Sequence, residues 1–129
     1  MNNQLQNLLD DALTATGNIE HSAIFRRKDV KLRANSPNFT LNKQEMEQLS
    51  NLYSNSSDTR TNGITVKGVS YRTIRSDKYS IYGKSESGGV VLVRTVTLMI
   101  LATYSNDMFP SVCVEAVEKL GDYFREKGK

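Results

Sequence analysis

The chain has 129 residues, 38% of them apolar and 24% charged, which suits one folded domain with one core and excludes a disordered chain. No apolar run reaches the ~20 residues of a membrane-spanning helix. The single Cys113 and single His21 exclude an internal disulfide and a Cys/His zinc cluster, and no G-x-S-x-G elbow accompanies the histidine.

The start, Met1-Asn2-Asn3-Gln4, is polar and uncharged, unlike a secretory signal, so a cytoplasmic place is expected. Leu5, Leu8, Leu9, Ala12 and Leu13 then recur at helical spacing. Asn2 or Asn3 is suited to cap this helix and Gly17 to end it. Residues 19–28 and 30–34 read as two short strands, and Ser36-Pro37-Asn38 as a turn. Asn42 opens a second helix, with Glu45 completing a capping box and Leu41 and Met46 forming a hydrophobic staple. Residues 54–62 are polar and read as a surface loop.

From residue 64 the period changes to two. Residues 64–66 and 69–74 alternate around a tight Lys67-Gly68 turn. Residues 79–82 form a further strand, and 85–89 turn the chain. Residues 90–95 and 96–104 are apolar and β-branched, as central strands are. Pro110 suits the first turn of a last helix, whose apolar face is Val112, Cys113, Ala116, Val117, Leu120 and Phe124. Tyr71, Tyr79, Tyr82 and Tyr104 are expected to pack on the sheet, Cys113 on the helix stripe, and His21 on the strand surface. Met108-Phe109 is either core or an exposed contact tip. The layout predicts an α+β fold: a central antiparallel sheet with N- and C-terminal helices packed side by side on one face.

Net charge is +3, but its distribution is uneven. Arg26, Arg27, Lys28, Lys31 and Arg33 face Asp29 alone, and residues 60–94 hold seven cations against Asp77 and Glu86. Such a surface is either an anion-binding patch or a solvated edge that discourages strand-on-strand association. Arg72 and Arg75, three apart, face opposite sides of a regular strand and share a patch only if a bulge intervenes. Asp10-Asp11 are adjacent, a poor acid/base pair, so no catalytic role is expected.

Several local phrases resemble one family. Lys84-Ser85-Glu86-Ser87-Gly88-Gly89 resembles the hairpin before the central strands of profilins, and Cys113-Val114-Glu115-Ala116 a stretch of their C-terminal helix. Phe39-Thr40-Leu41-Asn42 resembles the entry to their second helix. The resemblance spans the chain and implies a single profilin-like domain over residues 1–129, non-enzymatic and without cofactor or metal, of the actin–phosphoinositide system.

The same resemblance shows departures. Conventional profilins hold proline-rich ligands between the terminal helices in an aromatic groove that includes tryptophans. This chain has no tryptophan and no aromatic residue before Phe25, which leaves Tyr123 and Phe124 alone at that groove. The family's cationic loop before the last helix corresponds to Asn106-Asp107-Met108-Phe109, without lysine or histidine. Weak or absent binding of actin and of proline-rich ligands is therefore expected. The resemblance leaves Lys67, Arg72, Lys84 and Arg94 as actin-facing positions, and Arg26, Lys28, Arg72 and Lys84 as the expected phospholipid set.

The leading expectation is a divergent, monomeric actin-cytoskeleton regulator that binds anionic phospholipids or phosphoinositides, with peripheral membrane contact. The alternative is a conventional actin-monomer-binding protein that regulates polymerisation. A nucleic-acid-binding domain is disfavoured, since no ribonucleoprotein-type motif accompanies the tyrosines.

Overall fold

The computed structural model describes residues 4–129. The N-terminal leucine stripe winds into α1 (Gln4–Ala12) and runs on through a 3-10 turn at Thr14–Thr16. Gly17, at φ 73°, closes it in the left-handed conformation a glycine adopts without strain. The expected cap at Asn2 or Asn3 lies outside the described residues.

Seven strands form one sheet in the order β2-β1-β7-β6-β5-β4-β3. They are β1 (His21–Arg26), β2 (Lys31–Asn35), β3 (Ile64–Val66), β4 (Val69–Ser76), β5 (Ser80–Ser85), β6 (Gly88–Arg94) and β7 (Leu98–Ser105). All six pairings are antiparallel. The apolar β6 and β7 lie near the middle, as their lack of polar alternation requires.

Alternation divides the core into two layers. Ile24, Val91, Val93, Ile100 and Ala102 point to one face, where α1 and α4 (Pro110–Glu126) cover them with Leu9, Leu13, Cys113, Val117, Leu120 and Phe124. Phe25, Val90, Leu92, Met99 and Leu101 point to the other, under Met46 and Leu49 of α2 (Lys43–Asn51). Burying one such side chain stabilises by about 1.5–3 kcal/mol. Gly121 lets α4 approach the sheet: a Cβ there would meet Val93 Cγ1 at 2.8 Å.

The capping box at α2 forms as expected. Asn42 Oδ1 accepts from the Glu45 amide at 2.8 Å, and Glu45 Oε1 accepts from the Asn42 amide at 2.9 Å. Leu41 and Met46 are buried in the same cluster. Lys67 and Gly68, at φ 50° and 82°, make the tight β3–β4 turn.

Three expectations need correction. Residues 54–62 are not a loop: Ser56–Asn62 form α3, capped by Asn55, whose Oδ1 accepts from the Asp58 amide at 3.1 Å. This helix has no apolar stripe, and its one buried residue, Thr59, is held by donating Oγ1 to the Leu52 carbonyl at 2.6 Å. Val112 is not part of the buried face of α4 but stands at its surface. Tyr79 is also exposed, while Tyr71 and Tyr104 are buried in the sheet layers and Tyr82 is half-buried.

Candidate functional site

The basic positions fall in two places. On β4 the pairing register slips between Thr73 and Arg75, so Arg72 lies opposite Lys84 and Arg75 opposite Tyr82. Lys84 and Tyr82 are two apart on β5 and share a face, and cross-strand partners point the same way. The bulge therefore puts Arg72, Arg75 and Lys84 on the face that carries the terminal helices. The Arg75 guanidinium lies 5.1 Å from the Tyr82 ring centre and pairs with Asp77 at 2.8 Å. Burial resists ionisation of Asp77, but the Tyr79 and Ser80 amides and Arg75 outweigh it and hold the carboxyl below its usual range. Arg72 and Lys84 form no ion pair among the described residues.

The other expected cations do not join this face. Lys67 pairs with Glu45 at 3.5 Å on the α2 side. Arg94 donates Nε and Nη2 to the Lys78 carbonyl and lies 4.5 Å from the Tyr53 ring centre. Arg26 binds Asp29 at 2.6 Å at the far end of β1, and that hydrogen bond holds the Asp29 carboxyl down to about 2. Lys28 is exposed in the following turn. Of the four positions expected to face actin, only Arg72 and Lys84 stand together, and the four expected to meet phospholipid divide into two pairs at opposite ends of the sheet.

Glu118 on α4 is a residue the sequence did not single out. It accepts from the Tyr82 hydroxyl and, at 2.7 Å, from Ser80 Oγ, and so ties α4 to β5. Burial first, and then Glu118, push the Tyr82 phenol well above its usual range. Arg75 was also missed, because strict alternation sends it to the other face and residue order alone does not mark the bulge.

Between α1 and α4 runs an apolar cavity of about 460 Å³, lined by Leu8, Ala12, Thr16, Val112, Ala116 and Tyr123 among others. Glu115 and Lys119 pair across its rim at 2.8 Å. Among the described residues Tyr123 is its only aromatic wall; Phe124, 1% exposed, belongs to the core beneath. At the head of α4, Phe109 is 68% exposed, while Met108 packs on the core. The loop before it carries Asp107, which accepts from Ser105 Oγ and is thereby held below the usual carboxylate range. Asn106 donates to the Glu86 carbonyl, which brings this acidic loop against the β5–β6 turn beside Lys84.

Two remaining residues stay structural. His21 is half-buried and stacks on Phe39 at 4.9 Å. Cys113 is buried, which pushes its thiol up to about 12.

The Profilin family model matches residues 3–129. The chain belongs to the profilin family. It is 42% identical to Profilin-4 of Bos taurus over 96% of this chain and 97% of that one. The fold matches Acanthamoeba castellanii profilin II with a TM-score of 0.88 at 32% identity, over 96% and 98% of the two chains. It also matches mouse profilin IIa, solved with a double repeat from the FH1 domain of mDia1, at TM-score 0.78 and 17% identity over 96% and 98%.

Profilins are non-enzymatic regulators of actin, and the family binds actin and proline-rich ligands. No helix among the described residues is long and apolar enough to cross a membrane. The profilin architecture gives the paired terminal helices and the β4–β6 face their meaning as candidate surfaces.

Proposed function

We propose that this profilin acts on the cytoplasmic actin cytoskeleton with a weakened hold on actin and on proline-rich ligands, and that it contacts anionic phospholipid through the basic face of β4 and β5. The carrying observation is the Arg72–Lys84 cross-strand pair, joined by Arg75 through the β4 bulge. An arginine fork and a lysine ammonium side by side, without ion-pair partners, suit phosphate oxygens. Arg26 and Lys28 lie at the other end of the sheet and do not reach the same head group.

Two observations support the weakened protein contacts. The loop that opens α4 presents Asp107 and an exposed Phe109 in place of cations. The terminal-helix groove offers one aromatic ring, whereas polyproline helices are gripped by several. Conventional actin-monomer binding is the second reading, favoured by the same Arg72–Lys84 pair, since interfaces rest on a few central anchors.

Monomeric actin binding at low and physiological salt, set beside sedimentation with phosphatidylinositol bisphosphate vesicles, separates the two. The expected result is salt-sensitive vesicle binding, lowered about thirtyfold by Arg72→Gln/Lys84→Gln, at roughly 1 kcal/mol per charge. Micromolar actin binding at physiological salt, with vesicles ignored, would restore the conventional role.

A further inference from the structure

A cavity of about 330 Å³ opens on the α2 side of the sheet, where β1 begins and β7 finishes. Glu20, His21 and Thr103 line it from the sheet, Phe39 from the loop before α2, and Lys67 and Tyr71 from the β3–β4 hairpin. Its size lies in the range of small-ligand sites. The wall is held by strand pairing, with His21 opposite Thr103, and by the stack of His21 on Phe39 at 4.9 Å.

Three polar groups of this wall are unspent. Tyr71 is 7% exposed, and its hydroxyl makes no hydrogen bond among the described residues. The Nδ1 of His21 is buried without a partner among them. Glu20 forms no ion pair among them. Its carboxylate is nonetheless positioned, because Thr103 Oγ1 donates to Glu20 Oε1 at 3.3 Å and the Glu20 amide donates to the Thr103 carbonyl at 2.7 Å. Burial, and then the charge of Glu20, push the Tyr71 phenol up, so the field of the carboxylate reaches that hydroxyl. Among the described residues the one lysine or arginine that lines the cavity, Lys67, pairs with Glu45 at 3.5 Å. The acid therefore faces the cavity without a counter-charge, beside a phenol oxygen that also accepts.

We infer that this cavity receives an arginine side chain of a protein partner, with its guanidinium on the Glu20 carboxylate and the Tyr71 hydroxyl and its methylenes against Val66 and Val69. A guanidinium fork matches a carboxylate, and each carboxylate oxygen accepts more than one bond. It is also more weakly hydrated than an ammonium, which favours it in a cavity with apolar walls. Val66 and Val69 supply such walls for the stem, Val69 at 39% exposure. The chain carries a net charge of +3, so its overall field repels a basic segment, and the local acid has to supply the attraction.

The site is separate from the Arg72–Lys84 face. Tyr71 precedes Arg72 on β4, so the two side chains point to opposite sides of the sheet. It also selects the opposite charge, and the inference does not depend on phospholipid or actin contact at β4 and β5.

The test is a nuclear magnetic resonance titration with the peptide acetyl-Gly-Arg-Gly-amide, read at the backbone amides of Glu20, Tyr71 and Thr103. The same peptide with citrulline for arginine keeps the shape and drops the charge. The proteins are the unaltered chain, Glu20→Gln, Tyr71→Phe and Arg72→Gln/Lys84→Gln. Glu20 is exposed and Tyr71→Phe keeps the ring, so both variants are expected to fold, which a thermal melt checks. The arginine peptide is expected to shift the three amides of the unaltered chain, and the citrulline peptide to bind about tenfold more weakly. Glu20→Gln is expected to weaken arginine-peptide binding about tenfold and Tyr71→Phe about threefold, with Arg72→Gln/Lys84→Gln within about twofold of the unaltered chain. Equal binding of the two peptides overturns the site, as does arginine-peptide binding that Glu20→Gln leaves unchanged. An arginine peptide that shifts none of the three amides overturns it as well, and leaves the β4–β5 proposal standing.

Discussion

Gly89 is the position where a single methyl group is expected to do most harm. It lies on β6 between Lys84 and Tyr104, its partners on either side. A Cβ there would run into the Tyr104 ring, which is packed at 5% exposure. The ring can leave, which gives up about 1.5–3 kcal/mol of burial. Or it can stay, which strains the layer by about 1–3 kcal/mol. Either route gives Gly89→Ala a cost of about 2 kcal/mol, from a domain whose whole stability is about 5–15 kcal/mol. In a thermal melt this is a drop of roughly 8 °C. The decisive assay is a double-mutant cycle in urea. With the ring removed by Tyr104→Ala, adding Gly89→Ala should cost less than about 0.5 kcal/mol more, because the two positions touch. An equal cost in both backgrounds would refute the steric argument and leave backbone conformation as the cause.

Asn42→Ala removes one half of the α2 capping box and is expected to cost about 1 kcal/mol in urea denaturation, with unchanged binding to vesicles. Cys113 keeps its proton in the folded chain up to about 12, against an ordinary 9.0. The unfolded chain therefore gives up that proton first, and stability should decline as pH rises from the ordinary value toward the raised one, less steeply in Cys113→Ala. A thiol reagent should modify Cys113 no faster than the protein opens, and instant labelling of the folded chain would contradict its burial.

Much of this fold was legible because period and burial agree. The β6 and β7 runs are apolar on both faces, and the structure puts a packed layer on each side of them. The α2 cap was legible residue by residue, since Asn42 and Glu45 interact within one turn. What failed to show in the sequence depends on contacts with distant partners. α3 has no apolar stripe to announce it, and it is fixed on β4 by Thr73 Oγ1 donating to the Thr59 carbonyl and by Arg60 donating to the Ser76 carbonyl. The β4 bulge appears only when β4 is set against β5, and it moves Arg75 to the face of Arg72. Charge counts located cations on sheet segments, but their grouping follows strand order. Arg27, Lys78 and Arg94 are far apart in sequence and neighbours at one end of the sheet.

The candidate binding surfaces and the residues that fold this chain are separable. The terminal helices are held by their inward side chains, Leu9 and Leu13 from the first and Val117, Leu120 and Phe124 from the second. The groove between them is lined by the flanks of the same helices, where Ala12, Thr16 and Ala116 bury little. An aromatic residue on such a flank adds grip on a ligand but is not needed for the core, so its absence leaves the fold intact. The loop before α4 behaves alike. Its backbone is fixed by Asn18 Oδ1 accepting from the Phe109 amide at 2.8 Å, which leaves the Phe109 side chain outside. The loop can then vary its side chains, here Asp107 and Phe109, without disturbing the helix it opens. A chain can thus keep the profilin architecture while the side chains at its groove and loop are free to vary.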